Sequence, residues 1–372
     1  MLEALERHPN ARAVLGPAAA PEGRPSHAYL FHGPGGAGKR TLAREFAARL
    51  LAHGAPDPAS AQARALAGAH PDLTWVLPSG AHEILVSDID EPVVAAATRT
   101  PFESTRRVFV IESADQLGDE SANRLLKTLE EPASFVHLIL ITDRLADVLP
   151  TIRSRCQLVR FDAPTVQELA SELAADGVEP EVAEAYARLS LGDAGRAREL
   201  TAPEGAELRA RAQQLVRQAL AGEAALAAPW DGLLASVRAR GERLRSELDE
   251  RAEAELELLP SRDRKRAQTE WDERVRRARR RVETRALELA LDLAETWLLD
   301  LMALAFGGGD LVRNSDRMAE LRADSGVGRG ADVGALRRGL ELMEDTRQRF
   351  QLNVSEDLAL EALTHRLEQV LA

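Results

Sequence analysis

The sequence predicts an α/β domain built on a parallel sheet, followed by all-α structure as far as the C-terminus. Three observations carry this. Between residues 27 and 161 the short runs AYLFHG, DLTWVL, VFVIES and HLILIT alternate with helical patterns, the order expected of parallel strands joined by crossover helices. After Phe161 the strand runs stop. Aromatic residues are only 4% of the chain while alanine, leucine and arginine abound, a balance that favours helix over a β-sandwich.

Taken in order, the helices expected between strands are Thr41–His53, Asp88–Thr98 and Ser121–Leu129. Beyond the last strand, Thr165–Ala175, Glu181–Ser190 and Ala194–Leu200 read as three short helices punctuated by glycine and proline. From Glu207 onward the pattern is helical, broken at Pro229, at Leu259-Pro260-Ser261, at Gly307-Gly308-Gly309 and at Gly326–Gly330. The expected domains are residues 1–162, 163–205 and 206–372. Within the last, Arg238–Arg285 is unusually charged: its first half is rich in glutamate, and its second carries Arg264-Lys265-Arg266, Arg276-Arg277 and Arg279-Arg280-Arg281. Three readings stand: an antiparallel helical hairpin with opposite charges facing each other, a basic finger for DNA or a partner, and plain disorder. In Asp357–Leu371 the residues Leu358, Leu360, Leu363, Leu367, Val370 and Leu371 fall mostly on one face, which suits burial within the chain or against other helices.

Length and composition bound the function. A chain of 372 residues holds two or three domains. A net charge of −12 argues against nucleic acid wrapped over the whole surface, so any DNA contact is local. The one cysteine, Cys156, forms neither an internal disulfide nor a four-thiolate zinc site, which fits a reducing compartment and a buried, small apolar role. The start, MLEALERHPNARAVLG, lacks the charged flank and continuous apolar run of a signal peptide, and no segment reads as a membrane span. The expectation is a soluble, cytoplasmic protein without a membrane partner.

The stretch HGPGGAGKRTLAREFAARLL, His32–Leu51, carries the strongest local signal. Gly33, Gly38 and Lys39 satisfy the spacing of a phosphate loop, with Gly35 and Gly36 inside it, a strand before it and a helix after it. In that motif backbone N–H groups surround the phosphates, the lysine neutralises the outer ones and a following hydroxyl holds Mg²⁺. Here Arg40 stands where the hydroxyl belongs, and Thr41 points about 100° further round the helix. The strand ending at Arg107–Asp115 shows a second departure. Glu112 is placed to approach a metal, but Ser113 occupies the position of the carboxylate that would polarise an attacking water. Asp115 is expected to cap the following helix. On these residues alone phosphate-loop geometry is expected, and a glycine-rich turn that never meets nucleotide stays open as the alternative.

SANRLLKTLEEPASFVHLILITDRLADVLPTIRSRCQLVRF, Ser121–Phe161, resembles the LLKxLEEPP and TIxSRC segments of bacterial DNA polymerase III gamma/tau and delta-prime subunits, clamp-loader members of the AAA+ superfamily. SHAYLFHGPGGAGK, AHPDL at Ala69–Leu73, GDAGRAREL at Gly192–Leu200 and FQLNVSEDLALEALTHRL at Phe350–Leu367 agree with it. The resemblance implies an AAA+ parallel-sheet domain over 1–162, with phosphate loop 33–40, degenerate second strand 108–113 and Ser-Arg-Cys segment 154–156. A three-helix lid and a helical collar would follow. It implies that Arg155 is a finger offered to a neighbour's ATP site, that Thr142 is the sensor-1 position and that Arg196 is sensor 2. By default a lone surface arginine would instead be paired with an acid.

Within the family, gamma/tau members keep a Ser or Thr after the lysine, an acidic pair on the second strand and a four-cysteine zinc module. Here Arg40 and Ser113 break the first two, and His53–His70 contains no cysteine. The departures are those tolerated in the delta-prime branch. The resemblance then implies a non-hydrolysing subunit of the DNA polymerase III holoenzyme, not an ATPase by itself. Its partners would be gamma/tau and delta, with the sliding clamp and primer–template DNA met through the assembled complex. No zinc and no other metal is expected, and ATP with Mg²⁺ would at most be held without hydrolysis. The alternative is an active clamp-loader ATPase in which Glu112 holds Mg²⁺ and Thr41 compensates for Arg40.

Overall fold

The alternating apolar runs fold into a five-stranded parallel sheet, β1 (Ala28–His32), β2 (Leu73–Val76), β3 (Arg107–Ile111), β4 (Val136–Thr142) and β5 (Gln157–Arg160), in the order β2-β3-β4-β1-β5. The computed structural model describes residues 5, 7–20, 22–79, 83–257, 260–352 and 354–372. It divides into two units, Met1–Pro164 and Thr165–Ala372.

In the first unit the helices are α1 (Pro9–Ala18), α2 (Lys39–Ala52), α3 (Pro58–Leu66), α4 (Val86–Ile89), α5 (Asp119–Glu130) and α6 (Pro150–Arg153). Both faces of the sheet are covered, as the near-continuous apolar strands require. Tyr29, Phe31, Val108, Val110 and Ile139 pack on one side with Phe46 and Leu50 of α2, while Leu30, Phe109, Ile111, Leu138 and Leu140 pack on the other with Leu125 of α5 and Ile152 of α6. The strand that feeds the glycine-rich turn is set between β4 and β5. His32 pairs with Thr142 and Arg160, so the loop leaves the sheet beside the ends of both neighbours.

The structure adds α1 and α3 to the expected elements and departs from them at the helix over Asp88–Thr98 and at β5. The helix expected over Asp88–Thr98 begins as α4 and widens into a π-turn over Asp90–Ala95, because Pro92 offers no N–H and crowds the preceding turn. β5 went unread because it is an edge strand in which only Val159 is buried. The AHPDL stretch owes its acid to loop closure: buried Asp72 accepts backbone N–H bonds from Phe102 (2.6 Å), Glu103 (3.0 Å) and Ser104 (2.9 Å).

Buried His137 on β4 bonds through Nδ1 to the Ser26 carbonyl at 2.9 Å, and burial pushes its pKa from 6.5 down to about 4. The unfolded chain then binds a proton that the folded chain refuses between those two values. Stability is therefore full above about pH 6.5 and is lost as pH falls towards about 4, by up to about 3 kcal/mol. Urea midpoints at pH 7 and pH 4.5 are expected to diverge more for the unaltered chain than for His137→Gln; equal divergence would remove His137 as the cause.

The second unit is helical: α7 (Val166–Ala175), α8 (Pro180–Leu189), α9 (Ala194–Thr201), α10 (Pro203–Ala221), α11 (Ala224–Ala227), α12 (Pro229–Glu257), α13 (Ser261–Ala305), α14 (Met318–Asp324), α15 (Val333–Gln351) and α16 (Glu356–Leu371). The three short helices share one core with those that follow, through Leu173, Tyr186 and Leu200 beside Leu208, Leu233, Trp297, Leu336 and Leu363. α12 and α13 form the charged antiparallel hairpin, its break at Pro260; Leu258 and Leu259 lie outside the described residues. Arg279 reaches Glu242 across the hairpin at 2.7 Å, while Arg245 and Arg277 pair with acids on their own helices. On α16, Leu360, Leu363, Leu367 and Leu371 are buried within the unit, whereas Leu358 is exposed and leaves the expected stripe.

Candidate functional site

Gly33, Gly35, Gly36 and Gly38 form the turn from β1 into α2, and three of them, Gly33, Gly36 (φ 70°) and Gly38, are needed for their backbone. Gly33 has φ of 141°, and a Cβ there would collide with the Phe161 carbonyl. Gly38 opens α2 with φ of 82°. The chain thus adopts the tight strand-to-helix turn that its spacing calls for.

The lysine is turned inward. Lys39 is 4% exposed, and its Nζ donates to the carbonyls of Gly33 (2.6 Å) and Pro34 and pairs with Asp143 Oδ1 at 2.7 Å. Sequence reasoning missed Asp143, although it directly follows Thr142. Beside it, the Arg40 guanidinium forms an ion pair with Glu112 at the end of β3, and the Trp75 indole N–H donates to the other Glu112 oxygen at 2.7 Å. Glu112 is buried, so both its oxygens are committed inside the protein. Thr41 is exposed. These donors do not fit Mg²⁺, which needs a near-octahedral set of oxygens. The hydroxyl is replaced by a permanent cation, and the carboxylate already neutralises it.

Ser113 follows in the left-handed region, φ 55°. Its αL backbone turns the chain into a 3-10 turn, Ala114–Gln116, and it stands where a hydrolytic site needs a carboxylate. Asp115 does not cap the next helix, contrary to the expectation from its position: α5 begins after Gly118 without a side-chain cap. Two tertiary neighbours claim it instead. The Thr142 hydroxyl donates to Asp115 Oδ1 at 2.6 Å, and Arg144 binds Oδ2 through Nε (3.2 Å) and Nη2 (3.0 Å). The Arg144 backbone N–H donates to Thr142 Oγ1 at 3.0 Å, so this hydroxyl is held from both sides.

Arg155 lies just after α6. Its guanidinium pairs with Glu130 at the end of α5 and donates to the Thr151 carbonyl at 2.9 Å, leaving the side chain 34% exposed. Cys156, next in the Ser-Arg-Cys segment, is half-buried against the α5 side of the sheet, and burial pushes its thiol up to about 12. It is a packing residue with almost no thiolate at neutral pH. Arg196 belongs to the second unit, where it opens α9 and pairs with Asp292 at 2.7 Å.

His8 was not read as a site residue. Its ring lies 4.9 Å from that of Phe161, its Nε2 is 3.5 Å from where a Gly38 Cβ would be, and burial lowers its pKa. A His-Pro pair opening a helix was the signal available for it. Among the described residues, no cluster of His, Cys, Asp and Glu is placed to hold a metal ion, and no helix is long and apolar enough to cross a membrane.

Residues 13–165 match the family model described as DNA polymerase III, delta subunit. The chain is 39% identical over 136 residues to the DNA polymerase III subunit delta' of Pseudomonas aeruginosa, covering 35% of this chain and 42% of that one. It is 34% identical over 171 residues to the delta' subunit of Bacillus subtilis, covering 45% and 51%. The tau subunit of Bacillus subtilis matches at 33% over 156 residues, covering 40% and 27%. The chain spans about half the length, or less, of these relatives. Among solved structures, a DNA polymerase III gamma subunit-related protein from Thermotoga maritima aligns over 73% of this chain and 94% of its own, at 18% identity and a TM-score of 0.36. By its family match and the delta' relatives that share it, the stretch over residues 13–165 is similar to the DNA polymerase III delta-subunit family.

Proposed function

We propose that the chain is a delta-prime-like subunit of a bacterial clamp loader. It does not hydrolyse ATP itself; it lends Arg155 to the ATP site of a neighbouring gamma/tau subunit and so helps load a sliding clamp on primed DNA. The observation that carries the reading is the Arg40–Glu112 pair: the carboxylate a hydrolytic site would keep for its metal is bound to the chain's own arginine. Ser113 agrees, since no carboxylate stands in its place. Arg155, by contrast, is partly exposed and held by a surface pair that an incoming partner can displace.

In this reading the helices of 163–205 serve as the lid and those of 206–372 as the collar that joins the ring. Delta is the further partner, and the sliding clamp and primer–template DNA are met through the complex in the cytoplasm. Thr142 and Arg196 then serve packing rather than sensing. The test is clamp- and DNA-stimulated ATP turnover in a complex reconstituted with gamma/tau and delta. Unchanged turnover with Arg155→Ala in a complex that still assembles sinks the finger. Turnover by the chain alone would establish the active-ATPase alternative.

A further inference from the structure

We propose that Arg40 and Asp143 are internal stand-ins, a cation in the metal's place and an anion at the lysine ammonium, which together keep metal and nucleotide out of the phosphate loop. The inference rests on reading the site as non-hydrolysing and goes beyond it by naming what closes the loop.

The cation comes first. A guanidinium has donors and no acceptor, and it stays charged at any physiological pH. Set on Glu112 at the first turn of α2, Arg40 supplies the positive charge that a divalent ion would bring. The Trp75 N–H fills the second Glu112 oxygen. A metal entering here would meet a fixed positive charge and a carboxylate with no oxygen to spare.

The anion completes the closure. A lysine ammonium has three donors. Those of Lys39 go to the Gly33 carbonyl, the Pro34 carbonyl and Asp143. Asp143 therefore makes, at 2.7 Å, the contact that an outer phosphate oxygen makes in a loaded loop. A polyphosphate would have to displace it and then lie beside its negative charge. Arg40 and Asp143 are 66% and 60% exposed, so replacing them empties no core.

Equilibrium titration with a fluorescent N-methylanthraniloyl ATP, in Mg²⁺ and in EDTA, tests this on the full chain. The Arg40→Thr, Asp143→Asn double variant is expected to bind at least about tenfold more tightly than the unaltered chain, and to do so only with Mg²⁺. Arg40→Lys, which keeps a cation, is expected to stay closed, separating charge from mere disturbance. Circular dichroism of each variant checks that the fold is kept. Equal affinity in the unaltered chain and the double variant, whether tight or too weak to measure, overturns the proposal. Binding is read here and turnover is not, so an Arg155 result against the finger leaves this inference standing, and the reverse holds too.

Discussion

Replacing Arg155 by alanine is expected to lower the ATP turnover of the reconstituted clamp-loader complex by two or more orders of magnitude, and Arg155→Lys is expected to lower it nearly as much. An arginine supplied in trans to a phosphoryl-transfer site is worth about 10³–10⁵ in rate, because its charge meets the charge developing on the transferring group. Lysine keeps the charge but loses the planar fork that binds two oxygens at once. The parked position of Arg155 does not weaken this expectation. Its pair with Glu130 is half-exposed, and such surface pairs contribute about 0–1 kcal/mol. Leaving Glu130 therefore costs little beside what the finger supplies. Gel filtration alongside the assay separates lost turnover from lost assembly; a rate within a few-fold of the unaltered complex for both variants would remove Arg155 from the neighbour's site.

The largest stability effect is expected at Arg209, on α10 of the second unit. Its side chain is 4% exposed, and its guanidinium binds Asp316 through two bonds at 2.8 and 2.6 Å and donates to Asn314 Oδ1 at 2.8 Å. Asn314 passes the network on, donating from Nδ2 to buried Asp300 at 2.7 Å. Burial raises the pKa of Asp300, and the backbone N–H groups of Arg313 and Asn314 partly oppose that by bonding its carboxylate. Arg209→Met strips Asp316, whose side chain is 9% exposed, of its two close bonds and leaves it only Arg317 at 3.8 Å, a change that costs about 3–5 kcal/mol. The Arg209→Met, Asp316→Leu pair removes both charges and is expected to recover much of the loss. Urea unfolding followed by tryptophan fluorescence reads this directly, since Trp230, Trp271 and Trp297 all lie in the second unit. A loss below about 1 kcal/mol for Arg209→Met would show that the network is not what fixes these helices.

What the sequence made legible follows from how local each signal is. HLILIT is a strand buried along its whole length, and a continuous apolar run announces that without help from the rest of the chain. β5 also pairs with β1, but it lies at the edge of the sheet with only Val159 buried, so no apolar run marks it. The glycine-rich turn was legible because glycine is required where φ is positive, as at Gly38. The partners of the loop were not. Glu112 could be named as an acid near a metal position, but its attachment to Arg40 and Trp75 joins residues from three elements, and no local rule brings them together. Asp115 shows the same limit in the other direction. A local rule assigned it to a helix cap, and Thr142 and Arg144, brought alongside by β4, offered it stronger bonds.

The central claim is that this chain completes a neighbour's site and runs none of its own. The most direct measurement is stimulated ATP turnover in a complex where the unaltered chain is assembled with delta and with gamma/tau whose own phosphate-loop lysines are replaced by alanine. The account predicts no turnover above the background of that complex. Turnover that persists, and disappears when Lys39 of this chain is also replaced by alanine, would contradict it.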